Sequence, residues 1–343
     1  MHERVEAVLR GEEAWIVGGA IRDRLLGRPI VDLDVACREP QAAARAFARG
    51  GGGAPFPLSE RWGAWRVALD DGRTVDFTLL RGSLEDDLGT RDFTVNAIAE
   101  PVGGGELVDP FDGRRDLEAR TLRAVSATIF EDDPLRLLRA VRLEDELGFR
   151  LDLDTERLLR EHAQRVADPA GERILGELVQ LSAAGYRRLD ELGLLAPLGG
   201  SVSERLDRAD TPELRLVATL GASVKRLPIS NDLRRLARVV LTAEPPADGS
   251  PRAIHRFRRA TEPWSLDVLR FLGDEEHADA VRRARAEEPD EPLVRGDELG
   301  LPPGPLIGAI LSEIEEERAA GTIATREEAL ELARRRAGAA GDR

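Results

Sequence analysis

Short apolar segments separated by polar turns characterise about the first 125 residues of the chain. Apolar runs and the alternation of apolar with acidic side chains predict strands over 14–17, 30–36, 64–69 and 74–79. Asp71-Gly72 lies between the last two strands and indicates a β-hairpin. Helices are predicted over 20–26 and 41–49. This part of the chain is therefore expected to form a small mixed sheet with flanking helices.

After about residue 126 the pattern changes to a helical period. Apolar positions three and four apart predict helices over 134–148, 155–166, 172–181 and 187–192. Segments 244–251 and 287–305 are rich in Pro, Gly and charge, which is typical of linkers. The fold class expected is α+β, with a sheet-containing head at 1–125, an all-α neck at 126–200 and a helical body and tail at 201–343.

Composition narrows the class of protein. The chain has 343 residues, 42% of them apolar and 33% charged, which excludes a disordered protein. Its single cysteine excludes a disulfide framework and a thiolate zinc cage within one chain. No apolar run approaches the roughly 20 residues that span a bilayer, and the first 15 residues lack a signal-peptide core. We therefore expect a cytoplasmic, globular protein that does not insert into a membrane.

The formal net charge of -14 argues against a nucleic-acid partner, but its distribution does not. Lys225 is the only lysine among 50 basic residues, so the rest are arginines, whose planar fork suits phosphates and base edges. Residues 201–270 carry 13 basic and 9 acidic side chains, a local excess of positive charge. Net charge alone therefore does not decide the partner.

The predicted strand at 30–36 contains the pair Asp32 and Asp34. Side chains at i and i+2 of a strand share a face, so these carboxylates converge and repel each other unless cations bind. Two Mg²⁺ ions with phosphate oxygens would satisfy them, as in two-metal nucleotidyl transfer. The same Asp-x-Asp pattern recurs at Asp152 and Asp154, just before a predicted helix, where capping explains it without a functional role.

Gly18 and Gly19 lie between the first predicted strand and the helix that follows. Glycines there let backbone N–H groups approach a phosphate at the start of a helix. The spacing matches neither the dinucleotide fingerprint nor the P-loop. Taken alone, the segment is either a phosphate cradle or a tight turn.

Five ordered motifs together resemble the class II tRNA nucleotidyltransferase and bacterial poly(A) polymerase family. They are Val-Gly-Gly-Ala-Ile-Arg-Asp-Arg-Leu-Leu-Gly-Arg-Pro-Ile-Val-Asp-Leu-Asp over 17–34, Arg-Asp-Phe-Thr-Val-Asn-Ala over 91–97, Asp-Pro-Phe-Asp-Gly over 109–113 with Asp116-Leu117, Asp-Asp-Pro-Leu-Arg-Leu-Leu-Arg-Ala-Val-Arg over 132–142, and Glu172-Arg173 with Glu177. The likeness covers residues 12–181 well, the tail from 296 to 308 fairly, and residues 200–285 poorly.

The resemblance implies roles for the acidic residues and for the groups near Gly18. Asp32 and Asp34 would hold the two Mg²⁺ ions, and Asp76 on the hairpin strand would help to deprotonate the RNA 3′-hydroxyl. If Asp76 has no such role, it is simply a polar residue on a solvated sheet face. The groups expected at the triphosphate and ribose are Gly18, Gly19, Arg22, Arg91, Asp92 and Asn96.

The fourth motif is expected to select the base without a nucleic-acid template. Arg136 would donate hydrogen bonds to a ring acceptor while Asp133 accepts from an exocyclic amine. Cytosine and adenine present that polarity, whereas uracil and guanine reverse it. Arg139 and Arg142 follow on the same helix side and are expected to bind nucleotide as well, or else to form surface ion pairs. Asp133 is also expected to cap the helix, with Pro134 at its first position.

The function that the resemblance implies is transfer of CMP, with AMP left open, from CTP or ATP to the 3′ end of tRNA, releasing pyrophosphate. The head would be catalytic, the neck would recognise the base, and the body and tail would bind RNA. The sequence makes no prediction of oligomeric state. Two alternatives remain open at this point: a poly(A) polymerase acting on general RNA ends, and a catalytically silent RNA-binding homologue.

Two departures from the family pattern matter. The family often has a second arginine before Arg91, where this chain has Thr90, which we expect to weaken one phosphate contact. Only about a dozen residues, 79–90, separate the Asp76 strand from Arg91. In this family a shortened loop is associated with enzymes that add two cytidines and stop. The other explanation is a harmless deletion, since surface loops tolerate changes of length.

Overall fold

The computed structural model describes residues 1–50, 52–59 and 63–341, which form two compact units, Met1–Ser201 and Val202–Arg343. Within the described residues, no helix is both long and apolar enough to cross a membrane. Sheet and helices in the first unit, followed by helices throughout the second, confirm the predicted α+β class.

A six-stranded mixed sheet is the centre of the first unit. Its strands are β1 (Ala14–Val17), β2 (Asp32–Cys37), β3 (Ala54–Ser59), β4 (Ala64–Ala68), β5 (Thr74–Leu79) and β6 (Ala99–Pro101). They lie in the order β3-β4-β5-β2-β1-β6, and only β2 and β5 pair in parallel. The predicted hairpin is confirmed by the antiparallel pairing of β4 with β5. Two further short strands, β7 (Thr121–Leu122) and β8 (Arg150–Leu151), pair separately.

The two faces of the sheet differ in chemistry because side chains alternate along each strand. Val35, Val75 and Phe77 are fully buried on one face, where the Phe77 ring centroid is 5.8 Å from that of Phe47. Asp32, Asp34 and Asp76 lie on the other face by the same alternation. The alternating pattern therefore separates an apolar core face from an acidic one.

Helices surround the sheet and continue into the neck. Within the described residues of the first unit they are α1 (His2–Val8), α2 (Gly19–Leu25), α3 (Pro40–Arg49), α4 (Leu84–Gly89), α5 (Gly113–Glu118), α6 (Ile129–Asp132), α7 (Arg136–Leu147), α8 (Leu153–Glu161), α9 (Gly171–Leu178) and α10 (Ala183–Glu191), with 3-10 turns at Thr94–Asn96, Ala163–Ala167 and Ala196–Leu198. Leu84 and Leu88 of α4 pack with Val17 and Ala36, so α4 covers part of the sheet beyond the aspartates.

Three of the local differences from the sequence prediction have a clear physical cause. Strand β3 was not predicted, because Pro55 and Pro57 oppose a strand, but an edge strand tolerates proline and β3 lies at the edge. The segment 79–90 contains helix α4, whose start is closed by a capping box between Ser83 and Asp86. Helix α7 begins at Arg136 rather than Pro134, since the turn before it has hydrogen bonds of the i to i+3 type.

The second unit is helical throughout its described residues. Its helices are α11 (Pro212–Leu220), α12 (Asn231–Thr242), α13 (Pro251–Thr261), α14 (Ser265–Leu272), α15 (Ala278–Ala286), α16 (Pro305–Ala319) and α17 (Arg326–Gly341), with 3-10 turns at Glu204–Arg208, Gly221–Arg226 and Gly296–Leu299. Ile310, Ile314, Ala329 and Ala333 form a small core between the last two helices. The predicted linkers fall between helices, ending where Pro251 and Pro305 begin α13 and α16.

Candidate active site

The register of two parallel strands brings the three predicted acids together. Asp34 on β2 lies directly opposite Asp76 on β5, and Asp32 lies opposite Thr74, whose hydroxyl donates to it at 2.7 Å. Burial raises the pKa of Asp34; the charges of Asp76 and Asp32 add to the rise, while Arg91 opposes it. Among the described residues, none donates a hydrogen bond to the Asp34 carboxylate. Asp34 is therefore a carboxylate held among like charges.

Asp76 has a partner that the sequence did not indicate. Arg66 lies opposite it on β4, and the guanidinium donates to both carboxylate oxygens at 2.7 Å through Nε and Nη2. This two-pronged geometry suits a carboxylate well, because the planar guanidinium matches both oxygens. The Asp71-Gly72 turn places β4 beside β5, but the register that sets Arg66 opposite Asp76 is given only by the structure.

The carboxylates of the sheet do not converge as tightly as a loaded metal site would. Only one group of three possible metal ligands among the described residues has its ligand atoms within 4.8 Å of one another, and it consists of Asp274, Glu276 and His277 in the second unit. Asp32, Asp34 and Asp76 do not meet this distance; Thr74 donates to Asp32, and Arg66 donates to Asp76. The oxygen-only donor set and the like-charge repulsion at Asp34 nevertheless fit a hard divalent cation.

Gly18 allows the backbone to pass close to Asp34. Its φ is +77°, and a Cβ there would lie 3.0 Å from Asp34 Oδ2 and 3.1 Å from Arg91 Nη1. A larger residue would therefore be both strained and in the way of these side chains. Gly19 follows as the first residue of α2. The glycine pair thus forms a turn against Asp34 that leaves room for a ligand.

A chain of hydrogen bonds runs from Arg22 to Arg139. Arg22 Nη1 donates to Asn96 Oδ1 at 2.9 Å, and Asn96 Nδ2 donates to Asp92 Oδ1 at 2.9 Å. The Phe93 amide also donates to Asp92, and Arg139 Nε donates to its other oxygen. Burial would raise the pKa of Asp92, but Arg139 and these donors outweigh it and lower the pKa to about 2.

Arg91 reaches into the space beside Asp34 and Gly18. Its Nη2 donates to Asp87 Oδ2 at 3.2 Å, one turn earlier along the chain. Its Nε is buried and has no hydrogen-bond partner within the described residues. A buried polar atom without a protein partner needs an explanation such as a bound water or ion, and the space beside Asp34 and Gly18 is next to this guanidinium. Asp87 and Arg91 therefore connect α4 to the candidate site.

The predicted base-reading pair has other partners in this structure. Arg173 donates to both oxygens of Asp133, at 3.2 and 2.7 Å, and Arg136 Nη2 donates to the Thr90 carbonyl at 2.5 Å. Asp133 Oδ1 also accepts from the Leu135 amide at 3.2 Å, which fixes the turn before α7. Arg173 belongs to the fifth motif, but the sequence assigned it no role at the site.

One cavity of about 280 Å³ collects most of the predicted residues. It is lined by Gly18, Gly19, Asp34, Thr90, Arg91, Asp92, Asn96, Asp133, Leu135, Arg136, Arg139 and Arg173. Four predicted residues are not in this lining: Asp32, Asp76, Arg22 and Arg142. Arg142 is paired instead with Glu177, at 2.5 Å, and with Glu146, at 2.7 Å. The predicted site residues do not include Thr90, Leu135 and Arg173, although Leu135 and Arg173 lie within the quoted motifs and Thr90 directly precedes Arg91 of the second.

Comparison with known proteins shows what this arrangement is similar to. Residues 14–81 and 65–123 match the family described as the poly A polymerase head domain. The A-adding tRNA nucleotidyltransferase of Deinococcus radiodurans is 34% identical, over 92% of this chain and 94% of its own. The CC-adding tRNA nucleotidyltransferase of Thermus thermophilus is 32% identical, over 93% and 92%. A solved structure of the Bacillus stearothermophilus CCA-adding enzyme in complex with CTP has 26% identity and a TM-score of 0.76, covering 99% of both chains.

Proposed function

The chain belongs to the tRNA nucleotidyltransferase family, and from this premise we propose that it adds two CMP residues from CTP to the 3′ end of tRNA and then stops. The observation that carries the proposal is the cavity, which joins Asp34 and Gly18 at one part of its wall to Asp133 and Arg136 at another. The first pair suits a triphosphate and its counter-ion, and the second suits the edge of a base. A cytoplasmic location, where tRNA and CTP occur together, is part of the proposal.

In the reaction, the 3′-oxygen of the RNA attacks the α-phosphorus of CTP. A new phosphorus–oxygen bond forms, the bond to the β-phosphate bridging oxygen breaks, and pyrophosphate leaves with its electron pair. Asp76 accepts the proton of the 3′-hydroxyl, and Arg91 binds the phosphate oxygens of the leaving group. Arg22 lies outside the cavity lining and holds Asn96, which lines it. Asp32 and Asp34 would hold Mg²⁺, which supplies neutralisation of the triphosphate charge when bound.

Base choice follows from the opposite polarity of Asp133 and Arg136. Cytosine presents a ring acceptor beside an amine donor, so it pairs with the arginine and the carboxylate together. Uracil would place a donor against the arginine and an acceptor against the carboxylate, leaving both groups unsatisfied. Arg173 donates to Asp133 and the Thr90 carbonyl accepts from Arg136, so a cytosine edge would exchange with protein partners of the same polarity.

The connection between β5 and Arg91 supports addition of cytidine without adenosine. It is short and contains α4, with Ser83 and Asp86 capping each other and Leu88 fully buried. Asp87 of the same helix binds Arg91 in the cavity wall. In the family that the sequence resembles, a short segment at this place is associated with enzymes that add two cytidines and stop. A helix packed in this way also restricts the rearrangement that a larger base would need.

Addition of AMP alone is the second candidate. It is favoured by the 34% identity to the A-adding relative over nearly the full length of both chains. Adenine presents the same acceptor and amine polarity as cytosine, so Asp133 and Arg136 accept both bases. The two candidates use the same cavity and differ in which tRNA end they extend.

The test uses three tRNA substrates, which lack the last three, the last two or only the last of the terminal nucleotides. Each is incubated with the purified protein and either labelled CTP or labelled ATP. Growth by two cytidines on the shortest tRNA and no growth with ATP is the expected result. Growth only on the tRNA that lacks a single adenosine, and only with ATP, supports the second candidate. Long adenosine tails on an unrelated RNA would contradict both and indicate a poly(A) polymerase. The control variant Asp152→Ala should give the same products as the wild type, since Asp152 lies outside the cavity lining.

The three-part division of the chain is part of the same proposal. We assign catalysis to residues 1–125, base recognition to the neck at 126–200, and RNA binding to the body and tail at 201–343. The excess of basic residues over 201–270 supports the last assignment, because phosphate contacts need cations.

A further inference from the structure

A row of four side chains crosses the acidic face of the sheet. The strand registers place Phe56 of β3 opposite Arg66, Arg66 opposite Asp76, and Asp76 opposite Asp34. Directly paired residues in a sheet share a face, so all four belong to the face that carries the aspartates. The bond between Arg66 and Asp76 is direct evidence of this arrangement. The row therefore connects the sheet edge to the catalytic acids.

Exposure increases along this row toward the edge. The side chain of Asp76 is 14% exposed and that of Arg66 36%, and Phe56 is 40% exposed. On the other face of the same strands, Arg45 of α3 lies over the Trp65 ring at 5.4 Å, and Trp65 is half-buried. Phe56 is thus an aromatic side chain left open to solvent on the catalytic face. Addition of a further strand does not explain it, because Pro55 and Pro57 weaken the hydrogen bonding of this edge.

The geometry of the reaction determines which substrate approaches from this side. The nucleotide cavity lies on the β1 side of Asp34, where Gly18 and Gly19 follow β1. An attacking oxygen and a leaving oxygen stand on opposite sides of the phosphorus in an in-line displacement. The RNA end must therefore approach from the other side of Asp34, across β5 toward β4 and β3.

We propose that Phe56 and Arg66 form the subsite for the 3′-terminal nucleotide of the RNA that is extended. The terminal base stacks on the Phe56 ring, and Arg66 binds the phosphate on the 5′ side of that nucleotide. Asp76 uses Nε and Nη2 of Arg66, and Nη1 makes no hydrogen bond within the part of the chain that is described. Strand spacing puts β3 roughly 10 Å from β5, a span that one nucleotide covers. The inference rests on the proposed function, since it assumes an RNA 3′ end at Asp76.

The stacking role is tested with a tRNA that lacks its three terminal nucleotides and carries 2-aminopurine as its last base. Stacking on an aromatic ring quenches 2-aminopurine fluorescence, so the wild-type protein is expected to quench it and Phe56→Ala is not. Phe56→Ala is also expected to raise the KM for this tRNA about 5- to 150-fold, which corresponds to ~1–3 kcal/mol of base–aromatic stacking. The KM for CTP stays unchanged, and Phe56→Trp restores both properties.

The phosphate role of Arg66 is tested by the salt dependence of tRNA binding. Arg66→Gln is expected to lower the slope of log Kd against log salt concentration by about 0.7 to 0.9, the value for one phosphate contact. Leu153→Ala, which removes an 88% exposed apolar side chain from α8, is the matched control and should leave quenching and slope unchanged.

The outcomes separate this inference from the proposed function. If the wild-type protein extends tRNA but Phe56→Ala quenches 2-aminopurine and binds tRNA as the wild type does, the inference is overturned and the function stands. If the wild-type protein extends none of the three tRNAs, the function itself fails. Equal loss of quenching in Leu153→Ala would show a general effect on the protein and would also overturn the inference.

Discussion

Asp34 and Asp92 line the same cavity, yet their surroundings are opposite. Asp34 lies among Asp32 and Asp76 and receives no hydrogen bond from the described residues, and its pKa is raised. Asp92 accepts from the Phe93 amide, from Asn96 and from Arg139, and burial alone would raise its pKa, but these partners lower it to about 2. Burial and the charges of Asp76 and Asp32 raise the pKa of Asp34 against the opposing charge of Arg91, whereas Asp92 is already neutralised by its partners.

The difference separates a structural acid, Asp92, from an acid that is available to a ligand, Asp34. A carboxylate with protein donors on both oxygens holds its neighbours in place, here Asn96 and Arg139 in the cavity wall. A carboxylate surrounded by like charge costs stability until a cation binds. The protein therefore accepts repulsion at Asp34 and Asp32 where the triphosphate and its counter-ion are proposed to bind.

The strongest test of this comparison is Asp34→Asn. Removing the charge is expected to slow transfer on the order of a thousandfold, because several kcal/mol of charge stabilisation depend on it. Without Mg²⁺ the same change should stabilise the fold, because the raised pKa means that the ionised form loses stability as pH rises above 3.8. Thermal unfolding in EDTA at neutral pH measures this stabilisation. The melting temperature should rise by about 2–4 °C for each ~1 kcal/mol of unfolding free energy gained. A lower melting temperature would contradict the assignment of like-charge repulsion.

The second test replaces the neutralised acid with Asp92→Asn. The lowered pKa contributes stability that is present above the unfolded value of 3.8 and is lost as pH falls toward about 2. The variant is expected to lose about 2 kcal/mol of unfolding free energy at neutral pH. Urea unfolding is measured from pH 7 down to pH 3. The difference in unfolding free energy between wild type and variant should narrow only below about pH 4. A gap that does not change with pH would mean that ionisation of Asp92 contributes nothing.

The two Asp-x-Asp pairs extend the comparison to the sequence, and the smallest effect on transfer is expected at Asp152. Asp152 is the N-cap of α8 and accepts from the Asp154 amide at 2.9 Å. Asp152→Ala is expected to cost about 1–2 kcal/mol of stability, the value of a cap, with transfer unchanged. Asp32→Ala is expected to abolish transfer with the fold intact. Circular dichroism and a transfer assay on both variants check this, and retained activity in Asp32→Ala would refute the metal assignment.

Several elements were predictable because their signals are local. Strands 14–17 and 74–79 were predicted with the bounds they have, since alternation and the Asp71-Gly72 turn act over a few residues. Strand β3 was missed because its prolines are acceptable only at a sheet edge, and edge position is a property of the whole sheet. Helix α4 was read as part of a loop, although its capping box stands in the sequence.

The site shows the same division. Asp32, Asp34, Asp133 and Arg136 were identified by spacing and by resemblance, and the cavity brings three of the four into one wall. The partners of two predicted acids, Arg66 for Asp76 and Arg173 for Asp133, were not predicted. These pairs join residues 10 and 40 positions apart, and no pattern of local periodicity reports such contacts.

Sequence alone predicts that Asp32 and Asp34 share a strand face and that Gly18 and Gly19 lie at the start of a helix. It also predicts that Asp133 and Arg136 lie at the start of a second helix. These are consequences of the fixed periods of strands and helices. The tertiary structure alone decided which charges meet: Asp34 with Asp76, and Asp92 with Arg139. A pKa depends on charges and burial within a few ångströms, and chain folding sets those distances. The tertiary structure also places Phe56, which no sequence pattern singles out, in line with the catalytic acids.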